Sequence, residues 1–432
     1  MSEPETKDAD NTKDNNMTKR SQRKLLLKEE KKKIRLEKRR QEKIGKDVDF
    51  NDDWLEESEY FEENGLRKVH PYYFTFAAYA KGRWFGRTLM DVFETEFRQD
   101  NPHDKIKALE QGRVRVNGEP VAADYVLRQG DYVENTIHRH EVPVRGGDLN
   151  IVFEDDEVVV IDKPSSIPVH PCGRYRHNSL TFMMRKLNGY KNLRTVYRLD
   201  RLTSGIYIFC KNDIKTREII TAIQERKVKK EYICCVDGEF PTGKVECKEP
   251  LGVLSYKLGL QYATKEGKEA FTVFERIATN GKLSIVKCWP KTGRTHQIRV
   301  HLQYLGYPIT NDKLYNTPNW GPEKGRNGNF GQSNELLLER LEKEHSSRRF
   351  LMTDSDEAQT KRKRIETSGK FDENCQECLH PSRDPLPDEL IMYLHALSYE
   401  GPNWKYSTDL PFWADLEKLN NSKSEEGEDK TI

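Results

Sequence analysis

Apolar and polar positions fall into two patterns along this chain. Between residues 83 and 140 apolar residues first recur at helical spacing. Leu89, Val92, Phe93 and Phe97 share one helix face, and Ile106 and Leu109 begin a second. Alternation follows: Gly112-Arg113-Val114-Arg115-Val116 ends in Asn117-Gly118, which predicts a strand closed by a hairpin turn. The run from 127 to 133 predicts a turn and a further strand. Beyond residue 148 short apolar runs dominate, and they predict strands over 149–152, 158–161, 205–211, 231–236, 270–277 and 284–290. Asp162-Lys163-Pro164 ends the second of these, since proline lacks the donor a sheet ladder needs. Helices are expected over 180–187, 214–225 and 296–305. Strands outnumber helices and arrive in hairpin-like runs, so the fold class is α+β with a mainly antiparallel sheet.

Composition changes this picture at the ends and in one internal stretch. Charged residues make up 33% of the 432 positions and hydrophobic residues 35%, where a globular chain has roughly 25% and 45–50%. Part of the chain is therefore not expected to fold alone. Residues 1–68 read as a disordered, charged, basic arm: a solvated tail, a device for approaching nucleic-acid phosphates, or a nuclear-entry signal. A small module spans 69–147 and a larger domain 148–415. Within the latter, 321–385 is rich in Gly, Asn, Ser and charge and reads as a partly disordered insertion. An acidic disordered tail fills 416–432. The net charge of +2 averages the basic arm against that tail.

Eight scattered cysteines fit a reducing compartment. No run approaches the roughly 18 apolar residues of a membrane helix, and the first residues lack a secretory apolar core. A soluble protein of the cytoplasm or nucleus is expected. A mitochondrial address is not, because acidic residues appear from Glu3 onward. Cys375-Gln376-Glu377-Cys378-Leu379-His380 has metal-like spacing, but only three ligands are local where structural zinc needs four. No metal is therefore expected. Cys234 and Cys235 lie on one predicted strand and must face opposite sides.

The sharpest local signal is Tyr197-Arg198-Leu199-Asp200-Arg201-Leu202-Thr203-Ser204-Gly205, an acid between two arginines followed by a turn and an apolar strand. Alone it could be a surface ion pair beside a plain turn. Two further motifs follow in order: Lys230-Glu231-Tyr232 at a strand start, and Lys291-Thr292-Gly293-Arg294-Thr295-His296-Gln297-Ile298-Arg299-Val300-His301 opening a helix. Leu394-His395-Ala396 and Pro411-Phe412-Trp413 close the series. Together these resemble the RluA-type pseudouridine synthases over roughly 148–415, less the insertion. Val169–Asn178 with Pro308-Ile309-Thr310-Asn311-Asp312 and Tyr315-Asn316 is similar to the eukaryotic branch related to the tRNA pseudouridine-32 synthases. One departure is Tyr197, where many of that family carry His. The preceding module resembles the small αL-type RNA-binding module of many RNA-modifying enzymes, with Arg113 and Arg115 as RNA-binding candidates.

The resemblance implies the catalytic fold of that family and isomerisation of uridine to pseudouridine in structured RNA. tRNA position 32 is the favoured target; messenger or ribosomal RNA, or a non-catalytic RNA-binding protein of the same fold, are the alternatives. The reaction cuts the bond from ribose to the base nitrogen and rejoins ribose to a ring carbon, with no redox step, so no cofactor is expected. An aspartate is ionised at neutral pH, and Asp200 can act as base or nucleophile without a metal. Arg299 is the expected partner that orients it, phosphate contact alone being the plainer reading. Tyr232 is expected to stack on the extruded uracil, unless it is a core tyrosine. Arg198 is expected to fill the vacated stack. Arg294 and His296 would meet phosphates, or be ordinary surface charge. The expected partner is RNA, with no membrane, and the chain is expected to act as a monomer.

Overall fold

The computed structural model describes residues 53–96, 102–256, 258–347 and 355–417. The bulk of the charged arm, Phe97 and the acidic tail from residue 418 lie outside the described residues.

The apolar runs of the larger domain build one ten-stranded sheet. Its main path runs Lys244–Cys247, Thr272–Thr279, Leu283–Pro290, Lys229–Asp237, Leu394–Glu400, Ser204–Cys210, Val158–Lys163, Asn150–Glu154. Two short strands, Arg194–Thr195 and Lys405–Ser407, pair beside Ser204–Cys210 and Leu394–Glu400. Val158 to Ile161 and Ile206 to Cys210 are fully buried, which is why they read as continuous rather than alternating apolar runs. Every pairing is antiparallel except that of Ser204–Cys210 with Leu394–Glu400. There Gly205 has φ +106° and any side chain would run into the Ala396 backbone, so only glycine allows the two strands to close. Helix Asp213–Gln224 starts where the Asn212 side chain accepts the Lys215 N–H at 2.8 Å. Cys234 and Cys235 are both buried, in two different apolar clusters on opposite faces of their strand.

The small module is a four-stranded sheet in the order Tyr72–Tyr79, Tyr132–Arg139, Val114–Val116, Glu119–Pro120. Helices Leu89–Glu96 and Pro102–Glu110 complete it. Leu89, Val92 and Phe93 pack with Leu109, Val114, Val116 and Val133 in its core. Glu141 joins it to the larger domain. Its buried carboxylate accepts the Tyr72 hydroxyl at 2.6 Å and the backbone N–H groups of Arg176, His177 and Asn178 at 2.8, 2.8 and 2.9 Å.

Two stretches, one expected to belong to a disordered arm and the other to be a partly disordered insertion, hold ordered elements among their described residues. Residues 60–69 form a hairpin, Tyr60–Glu63 with Leu66–Val69, although their charge pattern assigns most of them to the arm. Arg67 and Lys68 are buried there because Glu62, Glu63 and Asp384 pair with them at 2.5–2.9 Å, so charge content misreads the segment. The stretch 321–385 holds helices Asn334–Ser347, Asp356–Thr367 and Gln376–Leu379. Leu337 and Leu341 from it bury against Tyr315 and Trp320. Among the described residues no helix is long and apolar enough to cross a membrane.

Candidate active site

Asp200 sits on the turn that feeds the strand Ser204–Cys210, its carbonyl accepting the Thr203 N–H at 3.1 Å. The turn is held from beneath by Lys163, which is fully buried. Its ammonium donates to the carbonyls of Pro164, Ile167 and Arg201 at 2.8, 2.8 and 3.2 Å, while the Ser165 hydroxyl donates to the Leu202 carbonyl. Burial, with Arg201 nearby, pulls the Lys163 pKa down to about 7. Three carbonyl acceptors match the three hydrogens of the charged form, so the geometry favours the ammonium. The sequence reading used Lys163 only as the end of a strand.

Arg299 reaches the Asp200 carboxylate with one nitrogen, Nη1 to Oδ2 at 3.3 Å. Its fork is turned elsewhere. Nε and Nη2 donate to the two carboxylate oxygens of Asp312 at 2.7 and 2.9 Å. Burial opposes charge on both partners, but each overrides it for the other: Asp312 is held below the usual carboxylate range and Arg299 is pushed above its own. Asp312 is further satisfied by the N–H groups of Leu314 and Tyr315. The guanidinium lies 4.8 Å from the Tyr315 ring centroid. Thirteen residues separate Asp312 from Arg299, and no sequence periodicity links the loop that carries one to the helix that carries the other.

Helix Gln297–Tyr304 positions Arg299, and its entry is fixed by side chains. The Gln297 carbonyl oxygen accepts the Thr292 hydroxyl and the Arg294 N–H at 2.7 and 3.0 Å, and its amide donates to the Phe271 carbonyl and Thr272. His296 precedes the helix in a left-handed conformation, φ 55° and ψ 19°. That turns its ring inward, with Nε2 3.7 Å from Asp200 Oδ2. Burial, then Arg299, lowers its pKa to about 4, so the ring is neutral near pH 7. Tyr315 accepts the Gln261 N–H and shares a 2.8 Å hydrogen bond with His296 Nδ1, which fixes the orientation of the ring. His296, expected to meet phosphates, thus joins the carboxylate cluster.

Tyr232 is 9% exposed and stands at a bulge in its pairing with Leu394–Glu400. Its hydroxyl shares a hydrogen bond with that of Tyr399, and burial raises its pKa. Tyr197 continues this aromatic group, with ring centroids 5.1 Å from Tyr399. The Tyr197 hydroxyl donates to the Ile206 carbonyl and accepts the Ile208 N–H, bracing the strand that follows Asp200. Arg198 is exposed beside Asp200. Arg294 donates Nε to the Glu269 carbonyl at 2.9 Å. On the small module, Arg115 is exposed and reaches the Gly112 and Gly118 carbonyls, and Arg113 is half-buried.

Asp200, His296, Arg299 and Asp312 line a cleft of about 700 Å³. Its walls carry both signs of charge, with Arg174, Lys361 and Arg383 paired to Glu377, Asp384 and Glu389, and Tyr232 is not among its lining residues. An oriented carboxylate with a buried cation beside it, open to a cleft, defines a site for carboxylate chemistry.

The comparisons with known proteins agree with that class. Residues 157–304 match the family model described as RNA pseudouridylate synthase. The human pseudouridylate synthase RPUSD2 is 42% identical over 418 residues, covering 85% of this chain and 77% of the relative. The Saccharomyces cerevisiae mitochondrial tRNA pseudouridine(32) synthase is 39% identical over 365 residues, 81% of this chain and 77% of its own. The tRNA pseudouridine(31) synthase of the same yeast is 33% identical over 419 residues, 83% and 98%. The chain belongs to the RluA-type RNA pseudouridine synthases and is an isomerase that converts uridine to pseudouridine in RNA. One expectation is overturned: the mitochondrial name of the yeast relative makes a mitochondrial address plausible, and scattered acidic residues near Glu3 do not exclude it.

Proposed function

We propose that this chain modifies uridine at position 32 of the tRNA anticodon loop, with Asp200 as the catalytic carboxylate. The target rests on a relative 39% identical that is named for tRNA position 32. A second relative, 33% identical, is named for the adjacent position 31. The role of Asp200 is supported by one observation above the others: its carboxylate lies 3.3 Å from an arginine that a buried acid already locks in place. In this reading the bond between ribose and the base nitrogen breaks while Asp200 faces the sugar and base. The uracil is turned, ribose is rejoined to ring carbon 5, the hydrogen on that carbon leaves as a proton, and the freed ring nitrogen takes up a proton. Arg299 keeps the carboxylate oriented, and neutral His296 stands 3.7 Å from it. Arg198 fills the stack that the extruded uridine leaves, a loss that costs roughly a few kcal/mol. Arg113 and Arg115 on the small module, with Arg294, meet backbone phosphates, while Tyr232, engaged by Tyr399 and not lining the cleft, supports the site from within the core.

The test uses anticodon stem-loops labelled with tritium at carbon 5 of uridine. Release is expected from the RNA carrying uridine at position 32 and is expected to stop when that base alone is cytidine. Unchanged release from the cytidine-32 RNA, with label leaving position 31 instead, contradicts the choice of target and leaves the chemistry intact.

A further inference from the structure

His138 and His140 stand on or beside the strand Tyr132–Arg139 of the small module, two residues apart and therefore on one face. Arg139, between them, points the other way and donates to the Gly173 carbonyl at 2.6 Å. Cys375 and Cys378 bracket a single turn of the 321–385 stretch, in which the Cys378 and Leu379 N–H groups both bond the Cys375 carbonyl at 3.1 Å. Folding brings the two pairs together across 235 positions. The four ligand atoms all lie within 4.8 Å of one another. His380, the third ligand suggested by local spacing, is exposed and stands outside the group.

The distances discriminate between a metal site and a hydrogen-bonded cluster. Cys375 Sγ is 3.4 Å from His140 Nε2, and Cys378 Sγ is 3.5 Å from both His140 Nε2 and His138 Nδ1. In a zinc tetrahedron, with Zn–S about 2.3 Å and Zn–N about 2.05 Å, sulfur and nitrogen ligands stand about 3.6 Å apart. A neutral imidazole nitrogen has one in-plane lone pair or one hydrogen, so His140 Nε2 cannot serve two sulfurs by hydrogen bonding. A cation between the four atoms serves all of them. Cys378 Sγ also accepts the Asp372 N–H at 3.4 Å, the outer support a thiolate ligand receives. Two thiolates and two imidazoles form a closed tetrahedral set, which favours zinc.

We propose that His138, His140, Cys375 and Cys378 bind one structural zinc ion that clips the 321–385 stretch onto the small module. This reverses the expectation drawn from sequence, where only one half of the ligand set was local. The site reaches the cleft through its neighbours. Glu377, between the two cysteines, pairs with Arg174 at 2.5 Å, and Arg174 also donates to the His140 carbonyl at 3.3 Å. Arg174 and Glu377 line the same cleft as Asp200. Metal at this position therefore fixes one wall of the site while contributing no reacting atom.

The experiment measures zinc in the full chain purified from zinc-supplemented cells, and then the visible spectrum of the chelator-treated protein titrated with cobalt(II). About one zinc per chain is expected, with the intense absorption of four-coordinate, thiolate-bound cobalt. The Cys375→Ser/Cys378→Ser variant is expected to lose both, and Cys247→Ser, outside the cluster, neither. If the double variant fails to fold, the wild-type stoichiometry and cobalt spectrum still decide. Wild-type protein without stoichiometric zinc and without that spectrum overturns the proposal, as does a double variant that retains both. Neither readout depends on pseudouridine formation.

Discussion

Arg299, the proposed partner of the catalytic carboxylate, and Arg115, a proposed phosphate contact, are held by the protein in opposite ways. Arg299 is 6% exposed, forked onto Asp312 and laid against the Tyr315 ring, leaving one nitrogen for Asp200. Arg115 stands on an exposed hairpin of the small module and makes only long contacts to backbone carbonyls. A charge fixed before substrate arrives orients a reacting group and need not reorganise during the reaction. A charge left in solvent contributes chiefly by releasing counterions from the nucleic acid, to a degree set by salt. In the proposed reading the two regions separate the chemistry from the hold on RNA, and substitutions should divide along that line.

The largest effect is expected at Arg299. Arg299→Lys keeps the charge but loses the fork. The turnover rate on tRNA should fall roughly 10²–10³-fold with a smaller change in KM; a fall confined to KM would give Arg299 the binding role assigned here to Arg115. Asp312→Asn comes next. It leaves a buried guanidinium short of a counter-charge, which should cost about 3–5 kcal/mol in urea unfolding. The resulting misplacement of Arg299 should lower the turnover rate by about a hundredfold. Full stability in that variant would break the claim that Asp312 locks the site.

A smaller effect follows from pH. Burial lowers His296, His301 and His395 from 6.5 to about 4, and His177 from 6.5 to about 3. Between pH 6.5 and about 4 the unfolded chain binds protons that the folded chain refuses, so stability must fall as pH falls through that window, and His177 carries the fall on toward pH 3. The thermal midpoint followed from pH 7 downward checks this, and a flat profile to pH 4 would contradict it. The smallest effect is at Arg115→Ala. Turnover at saturating RNA should be unchanged, affinity should weaken a few-fold, and the slope of log affinity against log salt should drop by about 1. An unchanged slope would remove Arg115 from the phosphate contacts.

The same comparison accounts for what the sequence makes legible. Elements built by apolar runs, such as Val158–Lys163 and Ser204–Cys210, are read correctly because burial on both faces leaves its mark locally. Asp200 and Arg299 lie within motifs and can be seen there. Their supports lie outside any local pattern: Asp312 in a loop, Lys163 buried at a strand end, and Tyr315 behind His296. Charge composition actively misleads where charges are paired inside. Arg67 and Lys68 form a buried hairpin strand within what reads as a tail. The cysteine pair near residue 375 is visible, but its histidine partners are joined to it only by the fold.

In the proposed mechanism the Asp200 carboxylate performs the chemistry while the rest of the cleft holds the RNA. Single-turnover release of tritium from 5-labelled uridine tRNA, under saturating enzyme, tests it most directly with wild type and Asp200→Asn. The substitution is nearly isosteric and removes the charge. The account therefore predicts RNA affinity within a few-fold of wild type and tritium release lower by at least about a thousandfold. Release by the variant at a rate close to wild type, from RNA bound equally well, would contradict it.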